Sequence, residues 1–283
     1  GYYNRGMVNG LFLSSGISGD VDSTMEKQIE TVHLLRNKYG YDDYIHLKIV
    51  PGASRDSIKR AMALANRVSI NIEAATPSGL AELSSTKDYN KDILKRLSWI
   101  NRYQHKSTTY PNSTHTTQLI VGANDESDRE ILERMEKIYK NSDLKRTYFS
   151  AFTPIEETEL GNKNACSTDR TAKLYNADSL INEYHYNVKE LVFDENDKLS
   201  LDQDPKILAA KNMNIFPVEI NSAPLVELIR VPGIGVKSAH EIISIRKKTP
   251  FSNKEQLKKL GVVVDRAEPY IKISGEYQTT FDF

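Results

Sequence analysis

Leu11-Phe12-Leu13-Ser14-Ser15-Gly16 reads as a buried strand closed by a glycine turn. A helix follows it. Ser23 and Glu26 have capping-box spacing, and Met25, Ile29, Val32 and Leu35 share one face as far as Gly40. The alternation then continues along the chain. Residues 44–50 read as a strand closed by Pro51-Gly52, and 54–66 as a helix with Ile58, Ala61, Met62 and Ala65 inward. Residues 68–72 give a third strand with Glu73 at its carboxyl end. Thr76-Pro77 opens a short helix, and 90–103 a longer one burying Ile93, Leu97 and Ile100. A Ser/Thr-rich loop over 106–114 leads into a strand over 116–121. Ser127 and Glu130 cap a helix carrying Ile131, Met135 and Ile138, and 146–151 is the last clear strand. Strands alternating with helices predict an α/β fold, a parallel sheet with helices on its outer face. In such folds the carboxyl ends of the strands gather on one rim, here Ser14, Ser15, Gly16, Pro51, Glu73, Gly122 and Thr153.

Past Phe152 the alternation stops. Residues 171–184 read as a helix. Residues 183–204 carry seven acids against Lys189 and Lys198, and read as a solvated, acidic link. The expected domains are 1–170, a helical and acidic connector over 171–215, and a small tail over 216–283.

The tail turns on Val231-Pro232-Gly233-Ile234-Gly235-Val236-Lys237-Ser238-Ala239. Pro224 starts a short helix, Pro232 stops it, and a second helix runs over 237–248 with Ala239, Ile242, Ile243 and Arg246 at helical spacing. With no Cβ at Gly233 and Gly235, an anion can approach the backbone N–H groups that open the second helix. A weaker second half follows, with Ser252 as cap, a helix over 254–260, and Gly261. Residues 237–259 hold seven basic side chains against Glu241 and Glu255. Phosphate binding wants such an excess. A turn of this kind can also serve only for packing.

Composition narrows the function classes. The formal net charge is zero over 283 residues, so nucleic-acid affinity must come from a local patch. The single cysteine, Cys166, rules out an internal disulfide framework and fits a reducing, cytoplasmic compartment. No run is long and apolar enough for a membrane span. The six histidines show no metal-ligand spacing.

Pro232-Gly233-Ile234-Gly235 resembles the hairpin of the helix-hairpin-helix module, which grips the DNA backbone without reading bases. That resemblance implies DNA contact through Pro232, Gly233, Ile234, Gly235, Val236, Lys237 and Ser238. The whole chain resembles radical S-adenosylmethionine proteins assigned to DNA modification or repair. The matching stretches include 10–16, Asn71-Ile72-Glu73-Ala74, Lys87-Asp88-Tyr89, 117–123 and Tyr148-Phe149-Ser150-Ala151-Phe152. The resemblance implies a partial (β/α)6 TIM-like barrel lacking its first strand, with a small all-α helix-hairpin-helix domain. It also implies S-adenosylmethionine held by Ser14, Ser15, Gly16, Glu73, Gln118, Ile120 and Gly122, a four-iron four-sulfur cluster, an electron donor and DNA as partner. The sequence departs from the family at the cluster. Its ligands, a loop with three cysteines, and the first strand are expected upstream of Gly1, because residues 1–9 read as beginning mid-element. The alternatives are a non-catalytic DNA-binding protein on a degenerate barrel, and a radical enzyme with a non-DNA substrate.

Overall fold

Five short runs with side chains alternating between two faces pair into one sheet. In the computed structural model, which describes residues 3–106 and 113–277, these are β1 (Gly10–Leu13), β2 (Tyr44–Lys48), β3 (Arg67–Ser69), β4 (Thr114–Val121) and β5 (Arg146–Ala151). All pairs are parallel and the order is β1-β2-β3-β4-β5. Sheet order equal to chain order means that every crossover steps the same way. Right-handed crossovers then place all helices on one side and curl the sheet into a half-barrel.

The helix-covered face is apolar. Ile45, Leu47, Val68, Leu119, Val121 and Phe149 are buried against Met25, Ile29 and Val32 of α1 (Val21–Asn37), Ile58 and Met62 of α2 (Arg55–Leu64), Leu97 and Ile100 of α4 (Lys95–Lys106), and Ile131 and Met135 of α5 (Asp128–Asn141). Each such side chain contributes about 1.5–3 kcal/mol. The intervening positions face away from the helices and are largely polar. Burial raises the pKa of the Tyr44 hydroxyl, Arg67 opposes that shift and Tyr148 adds to it.

Several local expectations need correcting. β1 is not buried: Phe12 is 59% exposed, and the strand ends before Ser14. α1 is capped by Asp20, whose carboxylate accepts from Ser23 N, so Ser23 lies inside the first turn. The box at Ser127 and Glu130 does form, in both directions. A short helix α3 (Pro77–Leu83) follows the Thr76 cap, and a π-helical turn, Tyr89–Leu94, precedes α4. Most of the expected Ser/Thr-rich loop lies outside the described residues.

Residues 1–171 and 172–283 form two units, with α6 (Thr168–Asn182) crossing the boundary. The second unit contains α7 (Pro205–Lys211), α8 (Leu225–Leu228), α9 (Val236–Arg246), α10 (Lys254–Lys258) and α11 (Val264–Ala267) around a core of Ile220, Leu228, Val231, Ile234, Ile242 and Leu257. The expected all-α tail also carries a three-stranded sheet, β6 (Val218–Glu219), β7 (Ile271–Ile273) and β8 (Glu276–Tyr277). Branched Val218, Ile271 and Ile273 suit a half-buried pleat and lie in that core. The supposed solvated link is folded as well, with Tyr186, Val188, Leu191 and Leu199 buried. Among the described residues no helix is long and apolar enough to cross a membrane.

Candidate functional site

In the second unit, α8 ends at a turn where Ile234 N donates to Val231 O, and α9 begins after Gly235. The two glycines of this elbow do different jobs. Gly233 has φ +86°, and a Cβ there would overlap the Val263 carbonyl oxygen and come within 3.1 Å of Ala267 N. Its own carbonyl accepts from Val263 N at 2.9 Å. Gly233 is therefore the joint between the elbow and α11. Gly235 has ordinary backbone angles, φ −84° and ψ 164°, and a Cβ there would meet nothing nearer than the Tyr184 hydroxyl at 3.8 Å. No side chain caps α9. Its first N–H groups and the positive end of its dipole thus open onto accessible space at Gly235, Val236 and Lys237.

The remaining expected contacts are distributed unevenly. The Lys237 side chain is 91% exposed, with Glu241 at 3.9 Å. Pro232 and Ile234 are buried, and Ser238 Oγ donates to Leu260 O at 2.8 Å, so the side chains of these three serve packing. The Ser238–Leu260 bond brings the end of α10, with exposed Lys258 and Lys259, beside the first turn of α9. Other members of the basic run are engaged or distant. Arg246 donates to Ile220 O at 2.7 Å and Lys254 pairs with Glu268 at 2.6 Å. Lys247 and Lys248 follow the far end of α9, about 16 Å from the elbow at 1.5 Å per residue, which is about two Debye lengths in physiological salt. The effective patch is Lys237, Lys258 and Lys259.

Beside the elbow lies a cleft of about 360 Å³, lined by Gly233, Gly235, Tyr184, Lys206, Gly261 and Arg266 among others. The acidic stretch supplies Tyr184 and Asp204 to its wall. Asp204 caps α7 through Lys206 N and Ile207 N and pairs with Arg266 at 2.6 Å. Burial opposes ionisation there, but the Arg266 and backbone hydrogen bonds hold the Asp204 carboxyl below its ordinary range. Lys206 is only 7% exposed; its Nζ donates to Ile234 O at 2.7 Å and lies 4.4 Å from the Tyr184 ring centre. Burial lowers its pKa to about 7, against the pull of Asp204 and with the push of Arg266 and Arg230. Arg230 pairs with Glu190 at 2.9 Å and donates to Tyr184 O and His185 O. Sequence reading missed this support. Its one signal was Asp204-Pro205, a cap followed by proline at the first helical position.

In the first unit, Ser15, Gly16, Pro51 and Glu73 line one recess of about 250 Å³ together with Lys48, Asn71 and Lys87. Glu73 has φ +62°, unusual for a side-chain-bearing residue, and Lys87 Nζ lies 3.6 Å from its carboxylate. The conformation is held on both sides: Glu73 N donates to Gln118 O and Ile120 N to Glu73 O. The next residues are clamped by Glu126, which accepts from Ala75 N and Thr76 N, and by the Tyr89 hydroxyl, which donates to Ala74 O. Ser15 Oγ lies 2.7 Å from the Gln28 amide. Ser14, Gln118, Ile120 and Gly122 do not line this recess. Gln118 donates to Ser150 Oγ on the open sheet face. Gly122, at φ +86°, makes room for Cys166, whose Cβ would lie 2.7 Å from a Cβ there.

With this geometry in place, comparison with known proteins bears on the second unit. Residues 213–265 match the family described as Helix-hairpin-helix motif. The helix-hairpin-helix segment thus contains α8, the elbow, α9 and α10, and ends within α11. No curated protein matches the chain. Among solved structures, a crystal structure of a domain of pyruvate-formate lyase-activating enzyme from Bacteroides vulgatus ATCC 8482 is similar at 9% identity and a TM-score of 0.39, covering 62% of this chain and 93% of that one. A likeness that loose assigns neither fold nor function.

Proposed function

We propose that the protein binds nucleic acid through the helix-hairpin-helix elbow, holding the sugar-phosphate backbone without reading bases. The observation that carries this reading is the uncapped start of α9, flanked by Lys237, Lys258 and Lys259 and lying inside a helix-hairpin-helix match. Unpaired N–H donors and the helix dipole suit a phosphate oxygen, and the lysines neutralise its charge. Lys206, Asp204 and Arg266 hold the elbow from behind.

The half-barrel is read as the enzymatic part, a DNA-modifying or repair enzyme of the adenosyl-radical type. Its support is the chain-long resemblance, together with one recess where Ser15, Gly16 and Glu73 converge. Glu73 and Lys87 would there hold the charged groups of a bound cosubstrate. The donor set of this sequence does not fit a four-iron cluster, which needs soft thiolates, since Cys166 is its one cysteine. No group of three or more potential metal ligands occurs among the described residues. No chemical step is therefore assigned to a cluster in this chain.

Two substitutions test the elbow. Lys237→Glu reverses an exposed charge, and Gly235→Val places a branched side chain over the open amides with backbone angles that valine accepts. Each is expected to weaken binding to a DNA duplex by about tenfold or more in a mobility-shift assay, corresponding to about 1.4 kcal/mol. Unchanged duplex affinity in both variants would refute the phosphate-grip reading.

A further inference from the structure

The sheet face turned away from the helices carries a second set of recognition chemistry that the elbow does not use. Read across the register, it presents Phe12 beside His46, His46 beside Arg67, Lys48 beside Ser69, Thr116 beside Arg146 and Gln118 beside Tyr148. Not one strand residue on this face is a carboxylate among the described residues. Neither Lys48 nor Arg67 pairs with an acid there; Arg67 donates to Thr114 Oγ1 at 3.1 Å instead. Aromatic side chains are interleaved with the cations. Phe12 is 59% and Tyr44 40% exposed. Arg67 lies 5.7 Å from the Tyr44 ring centre and Arg146 5.2 Å from that of Tyr148. The ring of Phe12 lies 4.7 Å from that of His46. The positive field of the face is felt at His46, whose pKa is lowered to about 4 by burial and by Arg67 and Lys48.

We propose that this open face binds single-stranded nucleic acid, with bases stacking on Phe12, Tyr44 and Tyr148 and phosphates meeting Lys48, Arg67 and Arg146. Lys48 and Arg67, on a face whose described strand residues include no carboxylate, suit a polyanion, and the exposed rings of Phe12 and Tyr44 ask for a planar partner. A single strand supplies both, because its unstacked bases are free to lie on aromatic side chains. A duplex supplies phosphates but keeps its bases stacked inside, leaving Phe12 and Tyr44 without partners. From β1 to β5 the face crosses four strand spacings, roughly 19 Å at about 4.8 Å each, enough for a short run of nucleotides. The surface is separate from the elbow and stands or falls without it.

The test uses the full chain with a fluorescein-labelled oligothymidylate of about twelve nucleotides, within the site sizes of such surfaces, and a duplex of the same length. Affinities are read by anisotropy. Phe12→Ala combined with Tyr44→Ala is expected to weaken single-strand binding by about a hundredfold, roughly tenfold for each stacking ring lost, and to leave duplex binding unchanged. Tyr44→Phe, which keeps the ring, should retain single-strand affinity. Lys237→Glu should do the reverse of the double variant, weakening duplex binding by about tenfold and keeping the single strand. Cross-linking with a bromodeoxyuridine oligonucleotide should map to peptides containing Phe12, Tyr44 or Tyr148. The proposal is overturned if the intact protein does not bind the oligothymidylate, if the double variant binds it as well as the original chain, or if the cross-links fall only within residues 213–265. Loss of the elbow reading alone would show as unchanged duplex affinity in Lys237→Glu, with the single-strand results intact.

Discussion

Gly233→Ala is expected to destabilise the second unit by roughly 3–5 kcal/mol, while Gly235→Ala changes it by only a few tenths. The two glycines stand two residues apart and look equivalent in sequence. Their surroundings separate them. At Gly233 the backbone is left-handed, which costs an alanine about 1 kcal/mol or more, and the added methyl group overlaps the Val263 carbonyl oxygen. That oxygen belongs to the loop entering α11, so relief requires moving the contact in which Val263 N donates to Gly233 O. At Gly235 the angles suit alanine and the methyl group has open space. Urea unfolding followed by tyrosine near-ultraviolet circular dichroism would measure both. Equal effects at the two positions would contradict the assignment of Gly233 to packing and Gly235 to access.

The second large effect concerns Lys206 and pH. In the unfolded chain a lysine keeps its proton up to about pH 10.4. In the folded chain burial brings Lys206 down to about 7. Between these values the unfolded state binds more protons, so stability rises with pH through that window. Below pH 7 the folded state carries a buried ammonium and its full desolvation penalty; above it the neutral amine still donates to Ile234 O. Between pH 7 and 9.5 the gain amounts to about 3 kcal/mol. Comparison with Lys206→Met isolates it. The stability of the original chain relative to the variant should climb by that amount over this range, as read by urea unfolding at each pH. Near pH 10 and above, Tyr184 and Tyr186, whose pKa values burial raises, lower the absolute stability of both proteins alike, because the folded state then holds protons that the unfolded state has lost. A difference that stays flat from pH 7 to 9.5 would mean that Lys206 is not desolvated in the folded protein.

The sheet was legible because parallel strands covered on one face must alternate, and Tyr44-Ile45-His46-Leu47-Lys48 does so without interruption. The same alternation on the uncovered side specified the polar, aromatic face, but only register shows which of its residues become neighbours. The cap at Ser127 is read correctly from sequence, whereas the one placed at Ser23 is taken by Asp20, three residues earlier. Residues 183–204 misled because charge density masks a sparse apolar set. Tyr186, Val188, Leu191 and Leu199 have no helical or strand period, yet each is buried. For the elbow, spacing located the turn and the helix start. It could not show that Pro232, Ile234 and Ser238 face inward. At the rim, Glu73 was placed at a strand end, but its left-handed backbone depends on Gln118, Ile120 and the clamp around Ala74 to Thr76.

The central claim is that the elbow grips the sugar-phosphate backbone through α9 and three lysines. Its most direct measurement is the affinity of the full chain for a DNA duplex across a salt series. Each neutralised phosphate contributes a slope of about −0.9 in log K against log salt. Contacts by Lys237, Lys258 and Lys259 therefore predict a slope near −3, the same for unrelated duplex sequences and shallower by about one in Lys237→Glu. An affinity indifferent to salt, or a slope that Lys237→Glu leaves unchanged, would contradict it.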